Sequence, residues 1–408
     1  MMLERAQPVA FSALERLLRR QVFGQLEQLR VGRVVLEDAC GSAQFGPAGE
    51  PAVRIEVRSP RFYQAVASGG SVGAGEAYMA GHWSSDDLVG LVRTLVRNRE
   101  LLDGMEMGMA RFGAWALRGW HRLRRNSEAG SRRNIAAHYD LGNDFFSLFL
   151  SGDQMYSSAY WVDAGDNLET ASRRKLDLVC SRLRLSAGDH LVEIGGGWGG
   201  LAVHAAEHYG CRVTTTTISR EQYRAACDRS ARAGVADRVT VLLEDYRNLT
   251  GSYDKLVSIE MLEAVGAQYL DTYFAKVGRL LKPGGLALLQ AITIEDHRYQ
   301  QALRAVDFIK RHVFPGSFIP SVAAILAAKT RASDLALVEL EDFGLSYART
   351  LAAWRERFRS RLPQVRALGF DERFVRMWDF YLAYCEGGFR ERSIGVAHLL
   401  FAKPGDRP

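Results

Sequence analysis

The stretch Leu191-Val-Glu-Ile-Gly-Gly-Gly-Trp-Gly-Gly200 decides the fold. Residues 191–194 form a short apolar run that reads as a strand. The loop after it has almost no side chains, and 201–208 has amphipathic, helix-like spacing. A strand–glycine loop–helix unit lets a ligand lie against bare backbone, near the free amides of a helix N-terminus. The dinucleotide fingerprint pairs G-x-G-x-x-G with an acidic residue about 20 positions on, at the end of the next strand, where this chain has Thr217. Gly195, Gly197 and Gly199 suit a shorter, tighter turn. Val192 and Glu193 close the strand, and the Glu193 carboxylate is expected to accept hydrogen bonds from loop amides. A nucleoside-type ligand suits this arrangement better than a pyrophosphate.

Outward from the loop, strands are expected at 212–217, 239–243, 255–259 and 286–292, separated by helices at 201–209, 219–233 and 267–281. Strands alternating with helices predict an α/β, doubly wound parallel sheet with right-handed crossovers. Ligands on such sheets bind beyond the C-terminal strand ends, at the switch in strand order. Four strand–helix junctions therefore supply the pocket. The glycine loop is the first. Thr217 and Gln222 at the second offer neutral partners where many nucleotide sites place an acid. Asp245, Tyr246 and Arg247 at the third offer a carboxylate and an aromatic face for a purine. Glu260-Met-Leu-Glu263 at the fourth faces the reacting centre. Lys282-Pro-Gly-Gly285 reads as a turn, 300–345 as a mainly helical insertion, 350–390 as helical and 396–402 as a closing strand.

Residues 1–103 read as a small α+β domain. A first helix covers 11–31, with Phe11, Leu14, Leu18, Val22, Leu26 and Leu29 at helical spacing. Strands are expected within 34–45 and 51–57, then helices at 62–67 and 87–96 around a glycine-rich loop at 69–75. Residues 104–133 read as a basic amphipathic linker and 134–408 as the catalytic domain, opening with a helix at 168–185. The net charge is +6, and 104–133 alone carries a balance of +5. That linker interleaves Trp115 and Trp120 with Arg111, Arg118, Arg122, Arg124 and Arg125. Tryptophan with arginine suits the headgroup boundary of an anionic membrane, while a packed helix with a solvated basic face would read the same way. Lipid suits this segment better than nucleic acid. No apolar run approaches the roughly 18 residues of a membrane span, and no signal-peptide core is evident. The five cysteines are scattered without a C-x-x-C pair, which argues for a reducing compartment and against a metal site.

Several motifs together give the chain a resemblance. His138-Tyr-Asp-Leu-Gly-Asn-Asp-Phe-Phe146, Met155-Tyr-Ser-Ser-Ala-Tyr-Trp161, Val192–Gly200, Thr217–Gln222, Glu263-Ala-Val-Gly266, Phe314-Pro-Gly316 and Tyr384-Cys-Glu-Gly-Gly-Phe-Arg390 resemble the cyclopropane fatty acid synthases, including the mycolic acid cyclopropane synthases. Gly73-Ala-Gly-Glu-Ala-Tyr-Met79 and Trp83 resemble the accessory domain of the longer bacterial members. The resemblance implies a class I methyltransferase sheet of Rossmann-like type, S-adenosylmethionine as cofactor and an unsaturated phospholipid acyl chain as substrate. It places the chain in the cytoplasm, peripheral to the inner face of the membrane, with a homodimer among the expected assemblies. Tyr156 and Ser157 would meet the cofactor's methionine end, the 192–200 loop with Thr217 and Gln222 its carboxylate and ribose, and Asp245, Tyr246 and Arg247 its adenine.

In the family a bound bicarbonate serves as base. The matching cage is Ser158, Glu263, Gln290, Ile292 and Tyr347. Ser158 stands where cysteine is usual, Gln290 and Ala264 where histidine is usual, so bicarbonate and ring closure are left open. Cys385 matches a cysteine of the family's site, and free cysteine is commonly plain core. Glu386, usually a small residue, is a base candidate if it faces the pocket and a solvated helix-end carboxylate otherwise. Tyr139 would line the site or pack the entry helix. Tyr160, Trp161, Phe308, Phe314 and Phe318 are candidates to face an electron-deficient chain. The expected activity is methyl transfer to the alkene with cyclopropane formation. Its rivals are methylation without ring closure, a non-catalytic lipid- or cofactor-binding homologue, and a methyltransferase of small molecules or nucleic acid.

Overall fold

The computed structural model describes residues 11–49, 51–100 and 141–405. The expected linker at 104–133 and Tyr139 lie outside the described residues. Two sheets organise the rest. The first is four-stranded in the order β2-β1-β3-β4, with β1 Arg33–Asp38, β2 Gly41–Phe45, β3 Ala52–Val57 and β4 Trp83–Ser85. The expected strand within 34–45 is a hairpin turning at Cys40. On β3, Val53, Ile55 and Val57 are buried and the residues between them exposed, the period-2 pattern of a half-buried strand.

Helix α1 (Ala13–Leu26) starts at a reciprocal capping box. Ser12 Oγ accepts from Glu15 N at 3.2 Å, and Glu15 Oε2 accepts from Ser12 N at 2.7 Å. It buries Leu18, Val22 and Leu26, but Leu14 faces solvent. The expected glycine-rich loop at 69–75 is reduced to one non-helical residue, Gly70, at which two helical segments join to form α2 (Arg61–Met79). It kinks at Gly70 (φ 55°, ψ −135°), a backbone only glycine adopts readily. The glycines serve close packing. A Cβ at Gly75 would lie 2.4 Å from the Phe308 ring. Helix α3 (Leu88–Arg97) follows, capped by Asp87.

The second sheet has seven strands in the order β10-β11-β9-β8-β5-β6-β7. Its strands are β5 (His190–Ile194), β6 (Arg212–Thr217), β7 (Val239–Leu243), β8 (Tyr253–Ile259), β9 (Leu281–Ile294), β10 (Ala336–Asp342) and β11 (Ile394–Ala402). The five from β5 to β9 pair in parallel, and β11 and β10 add antiparallel. Strand order reverses between β5 and β8, so the glycine loop after β5 opens at the switch point. The expected turn at 282–285 bulges out near the start of β9: pairing with β8 passes from Leu281 to Leu286 while β8 advances only from Tyr253 to Lys255, and Gly284 has φ 74°. Strand β10 lies within 300–345, the stretch expected to be mainly helical.

Among the described residues, seven further helices of nine residues or more follow: α4 (Leu168–Arg182), α5 (Gly200–His208), α6 (Arg220–Arg232), α7 (Leu270–Leu280), α8 (Val322–Ala332), α9 (Gly344–Ser360) and α10 (Glu372–Arg390). Two apolar clusters line the sheet's faces. A third runs without a break from α1–α3 into α9 and α10. At that seam a Cβ on Gly387 would lie 2.5 Å from Val92 Cγ1. Tyr78 Oη donates to Asp379 at 3.1 Å, and Arg355 and Arg359 bind the same carboxylate at 2.8 and 2.7 Å. Among the described residues no helix is long and apolar enough to cross a membrane.

Candidate active site

A cavity of about 560 Å³ opens above the switch point. It runs from the glycine loop, past the ends of β6, β7, β8 and β9, to the apolar face of α3. At one end Gly195–Trp198, Thr217, Gln222, Asp245, Tyr246 and Arg247 form the wall, with Tyr156 and Ser157 across from them. At the other end stand Leu88, Leu91, Val92 and Leu95 of α3 with Phe380, Tyr384 and Cys385 of α10.

The loop at the first end is fixed from below. Gly195 and Gly196 N–H both donate to Thr216 O, at 3.1 and 2.9 Å. A Cβ at Gly196 would sit 1.8 Å from Thr215 Oγ1, so only glycine fits there. Gly197 has φ 54° with open space beyond its Cα, a bare surface for a ligand. Val192, Glu193 and Gly199 lie outside the cavity wall. Val192 is core, and Glu193 is a buried support that accepts from Thr215 Oγ1 at 2.6 Å rather than from loop amides. Burial pushes the Glu193 carboxyl up to about 7. Thr217 Oγ1 donates to Gln222 Oε1 at 2.8 Å. Asp245 is held by Arg247 through Nε at 2.8 Å and Nη2 at 2.9 Å.

Ser157 rests on a group that sequence reasoning missed. Lys175 Nζ donates to Ser157 Oγ at 2.9 Å and is fully buried, with Asp153, Glu193 and Glu260 as the nearby carboxylates. Burial lowers its pKa to about 8 against their pull. Its signal was present: one charge on the buried stripe Leu168, Ala171, Ser172, Leu176 and Val179 of α4.

The middle of the cavity holds two carboxylates, and their roles differ from the expected pairing of Glu263 with Tyr347. Tyr347 Oη donates to Glu260 Oε2 at 2.7 Å. Glu260 Oε1 accepts from Ser158 N at 2.9 Å and from Gln290 Nε2 at 2.7 Å. Gln290 is set in turn by His398, directly opposite it on β11, whose Nε2 lies 2.9 Å from Gln290 Oε1. Burial holds His398 neutral, with Arg182 Nη1 2.7 Å from its Nδ1. Glu263 Oε1 accepts from Ile292 N, and its Oε2 is buried without a partner. Burial and the neighbouring Glu260 push Glu263 up to about 8. Two carboxylates in one dry site separate in this way, one ionised and one protonated. Burial also raises Glu260, but hydrogen bonds from Ser158 N–H, Tyr347 and Gln290 and the charge of Lys175 oppose that rise, so Glu260 is the more acidic of the pair.

Cys385 lines the cavity, and burial pushes its thiol up, which keeps it un-ionised and a poor nucleophile. Glu386 is neither solvated nor in the cavity. It is buried, and its Oε1 accepts from Arg390 Nε at 2.7 Å. Of the expected aromatics, Phe314 and Phe318 line the cavity. Tyr160 turns to Glu341, Trp161 to Thr350, and Phe308 packs on Phe380. Tyr156, Trp83, Phe380, Tyr381 and Tyr384 take their place in the wall.

The protonated Glu263 gives a stability prediction. An ordinary carboxyl loses its proton near 4.5, whereas here it is kept to about 8. Between those values the folded chain binds more protons than the unfolded one, so stability falls as pH rises. Glu193 acts in the same sense up to about 7. Glu263→Gln should therefore flatten the fall in Tm between pH 5 and 8 by scanning calorimetry; a parallel curve would contradict the assignment.

This sheet order, with a glycine loop at its switch point, is that of the class I S-adenosylmethionine-dependent methyltransferases. The model of the mycolic acid cyclopropane synthetase family matches residues 126–399, and the chain belongs to that family. Cyclopropane-fatty-acyl-phospholipid synthase of Escherichia coli K12 is 38% identical over 357 residues, 87% of this chain and 89% of that one. Tuberculostearic acid methyltransferase UfaA1 of Mycobacterium tuberculosis is 37% identical over 381 residues, 91% and 88% of the two chains. Among solved structures, mycolic acid cyclopropane synthase CmaA1 complexed with SAH and CTAB superposes with a TM-score of 0.62 at 29% identity, over 67% of this chain and 98% of that one. The chain is thus an enzyme, and S-adenosylmethionine is its cofactor.

Proposed function

We propose that this enzyme transfers a methyl group from S-adenosylmethionine to the double bond of an unsaturated phospholipid acyl chain, closing a cyclopropane ring. One observation carries the reading: a single apolar cavity joins the glycine loop to the face of α3, passing the carboxylates of Glu260 and Glu263 on the way. That is a site for a long hydrocarbon met end-on by a nucleoside cofactor.

The cleft fits the cofactor. The backbone at Gly196 is bare because nothing larger fits, and Thr217 and Gln222 are neutral partners for ribose hydroxyls. Tyr156, Ser157 and the loop glycines would hold the methionine end, and Asp245, Tyr246 and Arg247 the adenine. When bound, S-adenosylmethionine supplies an electron-poor methyl carbon. The chain's residues then have three tasks. The apolar wall aligns the alkene and excludes water, which would trap an electron-deficient chain as an alcohol. Aromatic faces at Tyr156, Phe314 and Tyr381 stabilise that deficiency. A basic oxygen in the middle of the cavity takes the proton.

The relative named cyclopropane-fatty-acyl-phospholipid synthase supports phospholipid and ring closure. A second reading, methylation without ring closure, is supported by Gln290 and Ser158 in the centre and by the relative named tuberculostearic acid methyltransferase. The test is purified enzyme with cis-unsaturated phospholipid vesicles and methyl-labelled cofactor. Label in the acyl chain is expected; cofactor binding without labelled lipid would refute the reading.

Membrane docking through 104–133 belongs to the same proposal, as does the cytoplasmic face of the membrane as the place of action. Replacing Trp115, Trp120, Arg122 and Arg125 together should weaken co-sedimentation with anionic vesicles about tenfold or more, with cofactor affinity unchanged. Unaltered sedimentation would assign the segment to packing.

A further inference from the structure

We infer that the Glu260 carboxylate occupies the seat expected for a bound bicarbonate and is itself the proton acceptor. This deepens the alkene-methylation reading and rests on it.

Ser158 N–H, the Gln290 amide and the Tyr347 hydroxyl are three of the groups expected to hold bicarbonate. All three converge on Glu260, at 2.9, 2.7 and 2.7 Å. The fourth, Ile292 N–H, goes to Glu263. The remaining donors nearby are also turned away. Gln290 Nε2 reaches Ser158 O at 3.4 Å, and Ser158 Oγ donates to Ala159 O. A separate bicarbonate does not fit a cage whose donors are already bound to a carboxylate of the chain.

The side on which each group lies points the same way. Glu260, Glu263 and Tyr347 line the cavity, whereas Ser158 and Gln290 stand behind Glu260. Glu260 is thus the anion presented to the substrate, and residues expected to cage bicarbonate are its supports. Arg182, His398 and Gln290 form a hydrogen-bonded row that ends on it. Its backbone is left-handed, φ 48°, uncommon for a residue other than glycine. Such a conformation persists where the surroundings enforce it. Here Glu260 N–H donates to Gln290 O at 2.7 Å at the end of β8, which turns the side chain into the seat. Burial first, and then the neighbouring Glu260, raises the Glu263 carboxyl beside it.

The step balances. The alkene's π pair forms the new carbon–carbon bond, and the cofactor's sulfur leaves with the pair of the broken carbon–sulfur bond. The neighbouring chain carbon is left electron-deficient. Glu260 takes a proton from the incoming carbon, and the released C–H pair closes the ring. Proton loss from an adjacent chain carbon instead leaves a methyl branch and a new double bond. In either case the proton stays on Glu260 until product departs.

The test compares turnover in carbon dioxide-free buffer with turnover in added bicarbonate, using vesicles and methyl-labelled cofactor. Wild-type turnover should agree within about twofold. Glu260→Gln should slow product formation roughly a hundred- to ten-thousand-fold, the usual weight of a general base, while calorimetric cofactor affinity stays constant. Glu260→Gly suits the left-handed backbone and opens the seat, so added bicarbonate or formate should restore turnover about tenfold or more over the unsupplemented variant. Wild-type turnover that needs bicarbonate, a fully active Glu260→Gln, or a glycine variant that no anion restores would each overturn the inference. A wild-type chain that labels no lipid in either buffer would overturn the methylation reading beneath it.

Discussion

Lys175→Met is expected to lower the unfolding free energy by about 3–5 kcal/mol, the cost of leaving a buried charge without its partner. Lys175 is fully buried, and Asp153, Glu193 and Glu260 all act on it. Asp153 is further tied to Ser151 at 2.5 Å and Ser172 at 2.6 Å. Methionine keeps the length and apolar body of the side chain, so packing is largely preserved while the charge is removed. Ser157 also loses its donor at 2.9 Å, on the segment expected to hold the cofactor's methionine end. The denaturant midpoint should fall and cofactor affinity should fall with it. An unchanged midpoint would show that the three carboxylates do not need this cation.

Gly196→Ala should reduce turnover on the order of a hundredfold, since a misplacement of about 1 Å in a binding loop has that weight. The new Cβ would lie 1.8 Å from Thr215 Oγ1 and 2.7 Å from Glu193 Oε2. The loop must rise off its support, or the Thr215–Glu193 bond must break. Cofactor affinity measured by calorimetry should drop in parallel. Adding Thr215→Ala removes the nearer atom and should recover part of the loss. If Gly196→Ala binds cofactor normally, the loop backbone is not the ligand surface.

The parallel strands could be read in the sequence because buried strands tend to be continuous apolar runs, and 286–289 carries that pattern directly after the turn residues of 282–285. Strand β10 escaped because it is an edge strand. Leu337, Val338 and Leu340 are exposed between acidic residues, a pattern without the burial that marks a strand. The glycines of α2 read as loop because glycine usually breaks helices. Here they permit contact with Phe308, a partner more than 200 residues away. At the site, the residue types and the four junctions were legible. The division of labour between Glu260 and Glu263 was not. Two glutamates three positions apart at a strand end look alike in sequence, and the left-handed backbone at Glu260 decides which one meets Tyr347. Lys175 was legible in principle, as a lone cation on an apolar helix face. Glu193 looked like a ligand because it abuts the loop, yet a strand residue's side chain points away from the strand's end and into the layer beneath.

The reaction proposed for this enzyme is carbon transfer to an acyl alkene followed by proton loss inside the cavity. The most direct measurement uses cofactor carrying a trideuterated methyl group, cis-unsaturated phospholipid vesicles and mass spectrometry of the released fatty acids. Ring closure predicts a saturated product that keeps two of the three deuterons, the third having left as the proton. Retention of all three, with a remaining double bond, would replace ring closure by the branched product. No deuterium in the fatty acid, with cofactor still bound, would contradict the claim itself.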